Sequence, residues 1–330
     1  MIRAALLFPG RGSYTESSLG SLPADHPWVL RAEQLRAEFG LGSLLELDGA
    51  TKLRASVHLQ PANVSPLIYL VSMLDGELAR TRDQIVCIGG NSLGWYTALA
   101  ASGALTFDDG LRLVQQMSLL QQQHPIGGQL IYPIVDEKWR AAPQLARAVE
   151  KLLEASEGQL LASIELGGYR VLAGSDQALR RALAELPPLE RGSVSYPLKL
   201  VRHGAYHTPL AAPVAARAAE LLAELSFRKP RVTLVDGRGV RFTPWSTHPA
   251  ELRDYTLRTQ VVTPYDVTQS VRVMLREYAP ERIVLPGPGN TLGGVVGQII
   301  VAEGFRSVKT RAAFDRTQRS ECPLLDSMRR

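Results

Sequence analysis

The chain has 330 residues, enough for one large domain or a domain with an insertion, and its 45% hydrophobic and 21% charged residues are those of an ordinary globular protein. Two cysteines exclude a disulfide framework and point to a reducing compartment, and no apolar run approaches membrane-spanning length. The net charge of +5 comes from basic residues scattered among Glu and Asp, with no basic run or interleaved aromatics, which argues against nucleic acid and for an acidic protein partner.

Residues 4–8 form an apolar run too short for a signal-peptide core, so the expected compartment is the cytoplasm. The run reads as a strand entering the turn at residues 9–13. Residues 66–80 read as a helix, with Ser65 as N-cap and Pro66 at the first helical position. The apolar run 85–88 then reaches Gly90-Asn91-Ser92-Leu93-Gly94 and a helix-prone segment. Strand, glycine turn carrying Ser, then helix is the geometry of a nucleophile elbow, in which the glycines permit a strained backbone and leave Ser92 Oγ exposed. The same letters also fit a glycine-rich loop with an ordinary serine. From Thr106 a further helix begins: Asp108 and Asp109 complement its dipole, and Leu113, Met117 and Leu120 recur on one face. It ends before the breaker cluster at 124–128.

The alternation of strands and helices over the first 126 residues predicts a mostly parallel sheet. Between 128 and 200 the rhythm changes to strand 129–135, helix 142–155, strands 159–166 and 169–173, a helix capped by Ser175 and Asp176, and strand 193–200, which Pro197 demotes to an edge. The order β-α-β-β-α-β is ferredoxin-like. The expected fold is therefore α/β: an α/β-hydrolase-like large domain with a parallel sheet, residues 1–127 and 201–330, and a small ferredoxin-like subdomain inserted at 128–200. An Ala-rich helix at 210–225, strands at 232–235 and 283–285, and a helix at 267–278 complete the large domain. The polar tail from Arg311 reads as loosely ordered.

A serine nucleophile needs a base, usually histidine. Of the six histidines, His26, His124 and His248 each precede a proline in loop-like settings. His203 and His207 have the i, i+4 spacing of a helical metal pair. Gly204 and Pro209 break such a helix, and no cysteine or carboxylate cluster accompanies them, so no metal is expected. The stretch 287–294 lacks the Lys-Ser/Thr of a P-loop and the third glycine of a dinucleotide fingerprint; it reads as a turn that lets a helix pack closely.

Several segments carry a resemblance. Phe8-Pro9-Gly10-Arg11-Gly12-Ser13-Tyr14 is similar to F-P-G-Q-G-S-Q, Gln60-Pro61-Ala62 to T-Q-P-A, and Gly90-Asn91-Ser92-Leu93-Gly94-Trp95-Tyr96 to G-H-S-L-G-E-Y. Ala205-Tyr206-His207-Thr208-Pro209-Leu210 is similar to A-F-H-S-P-L, residues 260–267 to Q-x-x-x-P-V-x-W, and residues 286–289 to a late G-P-G turn. In order along nearly the whole chain, these resemble the malonyl-CoA:acyl carrier protein transacylase family, which includes the acyltransferase domains of polyketide synthases and carries an inserted ferredoxin-like subdomain. The resemblance implies a Ser92–His207 dyad without an Asp, with the backbone carbonyl of Gln260 orienting the histidine. It implies an oxyanion hole from the N–H groups of Leu93 and Arg11. It also implies acyl-CoA and a phosphopantetheinyl acyl carrier protein as substrates, with no bound cofactor.

The chain departs from the family at informative places. The malonyl-binding arginine of the motif L-V-x-x-R-G-x-L-M-Q is Met117 here. A guanidinium grips a carboxylate bidentately, whereas methionine offers only apolar surface, and a buried carboxylate without a partner is costly. Asn91, Trp95 and Tyr206 replace the family's residues around Ser92 and His207, while Glu165 and Tyr169 stand where its small domain carries Asn and Gln. A reshaped acyl pocket is expected. Arg11 replaces a glutamine and is expected to face solvent, toward phosphate or a carrier protein. The expected function is transfer of a non-malonyl, neutral acyl group between CoA and carrier-protein thioesters through acyl-Ser92, in polyketide- or fatty-acid-type biosynthesis. The alternative is an acyl-carrier-protein hydrolase that uses the same dyad and gives the acyl group to water.

Overall fold

The computed structural model describes residues 1–329. A six-stranded sheet runs in the order Arg241–Phe242, Leu234–Val235, Asp83–Gly90, Ile2–Phe8, Arg282–Leu285, Leu325–Ser327. Neighbours are parallel except at the Arg241–Phe242 edge. Ile2–Phe8 is central and buried from Ala4 to Phe8, which is why it reads as an uninterrupted apolar run rather than an alternating one.

Helix Phe107–Gln123 starts as the sequence predicts: Thr106 Oγ1 accepts from the Asp109 N–H, and two aspartates occupy the first turn. The long helix before the elbow strand differs. It runs from Pro61 to Arg82, with Pro66 inside it rather than at its start. Pro66 has no N–H for the Ala62 carbonyl. That carbonyl accepts instead from the Arg36 guanidinium at 2.7 Å and from Gln115 Nε2 at 3.1 Å. Side chains distant in sequence replace the missing bond, and no local signal announces them.

The second sheet has the order Tyr265–Asp266, Leu160–Leu166, Tyr169–Gly174, Gly128–Pro133, Leu198–Lys199. Helices Pro143–Glu154 and Asp176–Glu185 cover one face, around a separate core that includes Leu130, Tyr132, Val149, Leu172 and Leu179. The last four strands in that order have the ferredoxin-like arrangement. The fifth, Tyr265–Asp266, comes from the large unit and pairs parallel with Leu160–Leu166. The single strand expected at 193–200 is split. Val194–Tyr196 forms a hairpin with Leu189–Arg191, and only Leu198–Lys199 joins the sheet, because Pro197 cannot donate to the ladder.

The tail expected to be loosely ordered is structured. Thr310 caps helix Arg311–Gln318, Phe314 is buried with its ring 5.3 Å from that of Trp139, and Leu325–Ser327 forms a sheet edge. Its polar composition hides a few apolar anchors, Phe314, Leu324 and Leu325, that supply the packing. Among the described residues no helix is long and apolar enough to cross a membrane.

Candidate active site

The elbow is fixed by sterics. Ser92 sits at φ 54° and ψ −109°, between strand Asp83–Gly90 and helix Leu93–Ala101. A Cβ on Gly90 would collide with the backbone of Gly94, and one on Gly94 with the Phe8 carbonyl. The two glycines are therefore required by close approach. The Asn91 N–H donates to the Phe8 carbonyl at 2.9 Å, and the Tyr265 hydroxyl to the Gly90 carbonyl at 2.5 Å, so the strained serine is held from both sides.

His207 lies on the loop after the inserted sheet, also in the left-handed region at φ 60°. Its N–H donates to the Val261 carbonyl at 2.8 Å. Its Nε2 lies 2.8 Å from Ser92 Oγ, and its Nδ1 lies 2.6 Å from the Gln260 carbonyl. A carbonyl can only accept, so Nδ1 carries the proton and Nε2 is left as acceptor for the serine hydroxyl. Burial lowers the His207 pKa to about 4 against the opposing pull of the Gln260 carbonyl. The imidazole is thus neutral near pH 7, the state a general base needs.

Gln260 is tied in by its side chain as well. Its Nε2 donates to the Ser92 carbonyl at 3.1 Å, and its Oε1 accepts from the Tyr96 hydroxyl at 3.1 Å. Sequence reasoning did not single out this role of Tyr96, although its i+4 spacing from Ser92 was a usable signal. It also missed the polar links that anchor the histidine loop to the inserted sheet. Ser163 Oγ donates to the Tyr206 carbonyl at 2.9 Å, and Gln129 bridges Ser163 and His203.

A cavity of about 390 Å³ opens over Ser92, between the two sheets. Met117, Asn91 and Tyr206 line it, as does Tyr169. Two expectations need correction. Trp95 does not reach the cavity. Its indole is fully buried in the core, donating to Thr256 Oγ1 at 3.0 Å and meeting Tyr255 edge-on at 5.2 Å, because there both its large ring and its single donor are satisfied. Arg11 lines the cavity instead of facing only solvent. The Arg202 carbonyl draws it in, accepting from Nη2 at 2.6 Å, while Nε has no partner. Burial lowers its pKa to about 10, with Tyr206 opposing and Arg202 assisting, so it stays cationic at neutral pH. Glu165 points to the other face of its strand and pairs with Arg170 at 3.2 Å.

Leu93 and Arg11 line the same cavity as Ser92, and the backbone N–H of each lacks a partner among the described residues. Leu93 is the first residue of its helix, so its N–H has no intrahelical acceptor. For the Arg11 N–H no acceptor is found among the described residues. A serine hydroxyl hydrogen-bonded to a neutral imidazole whose tautomer a backbone carbonyl fixes is an arrangement that can carry out acyl transfer.

No protein-family model matches the chain. The malonyl CoA-acyl carrier protein transacylase of Escherichia coli K12 is 29% identical over 314 residues, covering 91% of this chain and 94% of that one. The structure of the corresponding transacylase of Synechocystis sp. PCC 6803 superposes with a TM-score of 0.76 at 19% identity, over 99% and 97% of the two chains. That of Xanthomonas oryzae pv. oryzae gives a TM-score of 0.72 at 26% identity, over 90% and 91%. Along nearly its whole length, in sequence and in fold, the chain is similar to acyltransferases of the malonyl-CoA:acyl carrier protein transacylase family.

Proposed function

We propose that the protein transfers a neutral acyl group between CoA and acyl-carrier-protein thioesters in two half-reactions at Ser92. His207 Nε2 takes the hydroxyl proton as Ser92 Oγ attacks the thioester carbonyl. The oxyanion is held by the N–H groups of Leu93 and Arg11. The C–S bond then breaks, and His207 returns the proton to the departing thiolate. In the second half-reaction His207 deprotonates a phosphopantetheine thiol, which attacks the ester and releases Ser92. The observation that carries this reading is the 2.8 Å contact of Nε2 with Ser92 Oγ, with Nδ1 fixed by the Gln260 carbonyl. The basic composition suits an acidic carrier protein. We divide the chain into 1–127 with 201–330 and an inserted 128–200, a division supported by the separate core around Leu130 and Leu172.

Support for a neutral acyl group comes from Met117, which presents a thioether to the cavity where a carboxylate would need a cation. A specific observation favours a second reading. Arg11 lines the same cavity, and its guanidinium, with Nε unpartnered, supplies a cation for a carboxylate. Intact-protein mass spectrometry with acetyl-, octanoyl- and malonyl-CoA, then with the acylated carrier protein, separates the possibilities. The neutral reading expects adducts of the uncharged acyl groups, absent in Ser92→Ala and moved to the carrier on adding its thiol. A malonyl adduct that disappears in Arg11→Gln establishes the second reading. Loss of acyl groups to water, unaccelerated by carrier thiol, identifies a hydrolase instead.

A further inference from the structure

The inserted sheet has two different faces. One packs Leu130, Tyr132 and Leu172 against its own helices. The other is covered by neither of them. On that face the strand register sets Leu198 opposite Ile131, Ile131 opposite Val171, and Val171 opposite Ile164, making one apolar row across four strands. Leu166 and Tyr169 form the next rung. All six side chains line the cavity above Ser92, and Val114, Met117, Leu292 and Val295 face them from the large unit. Val171 is only 2% exposed, whereas Leu198, at the outer end of the row, is 40% exposed. The row therefore runs from the buried interior to solvent.

We propose that this row is the wall that binds an alkyl acyl chain esterified to Ser92, so the preferred substrates are thioesters of medium-chain acyl groups. This rests on the acyl-Ser92 reading above. An apolar cavity of about 150 Å³ admits a six-carbon ring. A cavity of about 390 Å³ has room for a chain of roughly six to ten carbons and still for the end of the carrier arm. The arm itself is a poorer occupant of the row. It carries amides that need partners, and the row presents only hydrocarbon while the backbone groups beneath it are paired in the ladders. An acetyl group would leave the row in contact with water.

The test measures kcat/KM for acylation of Ser92 with acetyl-, butyryl-, hexanoyl-, octanoyl- and decanoyl-CoA, read as the acyl-enzyme mass. Burying each methylene against such a wall is expected to raise kcat/KM about fourfold until the row is filled. Val171→Trp, which fills the middle of the row, is expected to lower the octanoyl-to-acetyl ratio at least tenfold. The ratio is taken within one variant, so a folding defect that depresses both substrates does not mimic the effect. The near-isosteric Val171→Thr is expected to lower it several-fold. A Ser92 adduct with a flat chain-length profile overturns this inference and leaves the acyl-Ser92 reading standing. Preference for malonyl over every alkyl donor overturns it together with the neutral reading. No adduct from any donor, with Ser92→Ala indistinguishable from wild type, overturns the acyl-Ser92 reading and the inference with it.

Discussion

Lowering the pH to 5 leaves acylation of Ser92 almost untouched if His207 has the environment described above. The imidazole is buried, and its pKa falls from 6.5 to about 4. With that value roughly nine-tenths of the enzyme holds neutral His207 at pH 5, against roughly three per cent for a histidine titrating at its ordinary value. The two cases differ by a factor of about thirty in the rate at pH 5 relative to pH 7.5. The assay is single-turnover acylation by an N-acetylcysteamine thioester, which has no group titrating in this range, followed by intact mass. The expected profile is flat from pH 8 to pH 5 and half-maximal near pH 4. The same shift makes a stability statement. Between pH 6.5 and about 4 the unfolded chain takes up a proton that folded His207 refuses, so stability falls as pH drops through that window, by up to about 3 kcal/mol from this residue. His203, also held well below its ordinary value by burial and then by Arg11 and His207, acts in the same direction. Half-maximal acylation near pH 6.5, in protein shown by circular dichroism to be folded, would refute the argument that burial sets the base.

Three substitutions test the remaining geometry. Met117→Arg places a guanidinium in the cavity and is expected to produce a malonyl adduct; no gain in a folded variant means that Met117 does not set specificity. Gly94→Ala forces a Cβ into the Phe8 carbonyl and is expected to displace Ser92, with acylation falling on the order of a hundredfold even where the fold survives, as checked by the same mass assay. Tyr96→Phe leaves Gln260 Oε1 without its donor; the expected cost is about 1–2 kcal/mol, seen as slower acylation with little change in donor KM.

Signals that act over a few residues were legible. Thr106 before two aspartates gave the start of its helix, and the glycine spacing around Ser92 gave the elbow, because each reports a local backbone requirement. The errors share a cause in long-range compensation. Pro66 sits inside a helix because Arg36 and Gln115 satisfy the Ala62 carbonyl. Arg11 turns inward because the Arg202 carbonyl receives it, across a gap of 191 residues in sequence. Trp95 follows Ser92 by three residues yet belongs to the core, since Thr256 supplies its acceptor. The tail was misread because composition averages over the few apolar side chains that anchor it.

The positions that hold the dyad and those of the row proposed to face the acyl chain are largely separate sets, and this bears on how such a protein can change substrate. Gly90, Gly94 and Tyr265 fix the elbow, and Gln260 ties the Ser92 carbonyl to the histidine. Disturbing any of them moves reacting atoms. Met117 and the row of Ile131, Val171 and Ile164 line the cavity with apolar side chains that make no hydrogen bond to the dyad or its partners. On the proposed reading, methionine in place of an arginine at position 117 costs the chemistry little while removing the counter-charge for a carboxylate. The coupling that remains runs through the loop bearing His207, which Ser163 and Gln129 fasten to the sheet whose other side chains form the row. Bulky substitutions at Val171 are expected to alter chain-length preference first. They would reach the base only if they shift the strand that carries Ser163, next to Ile164.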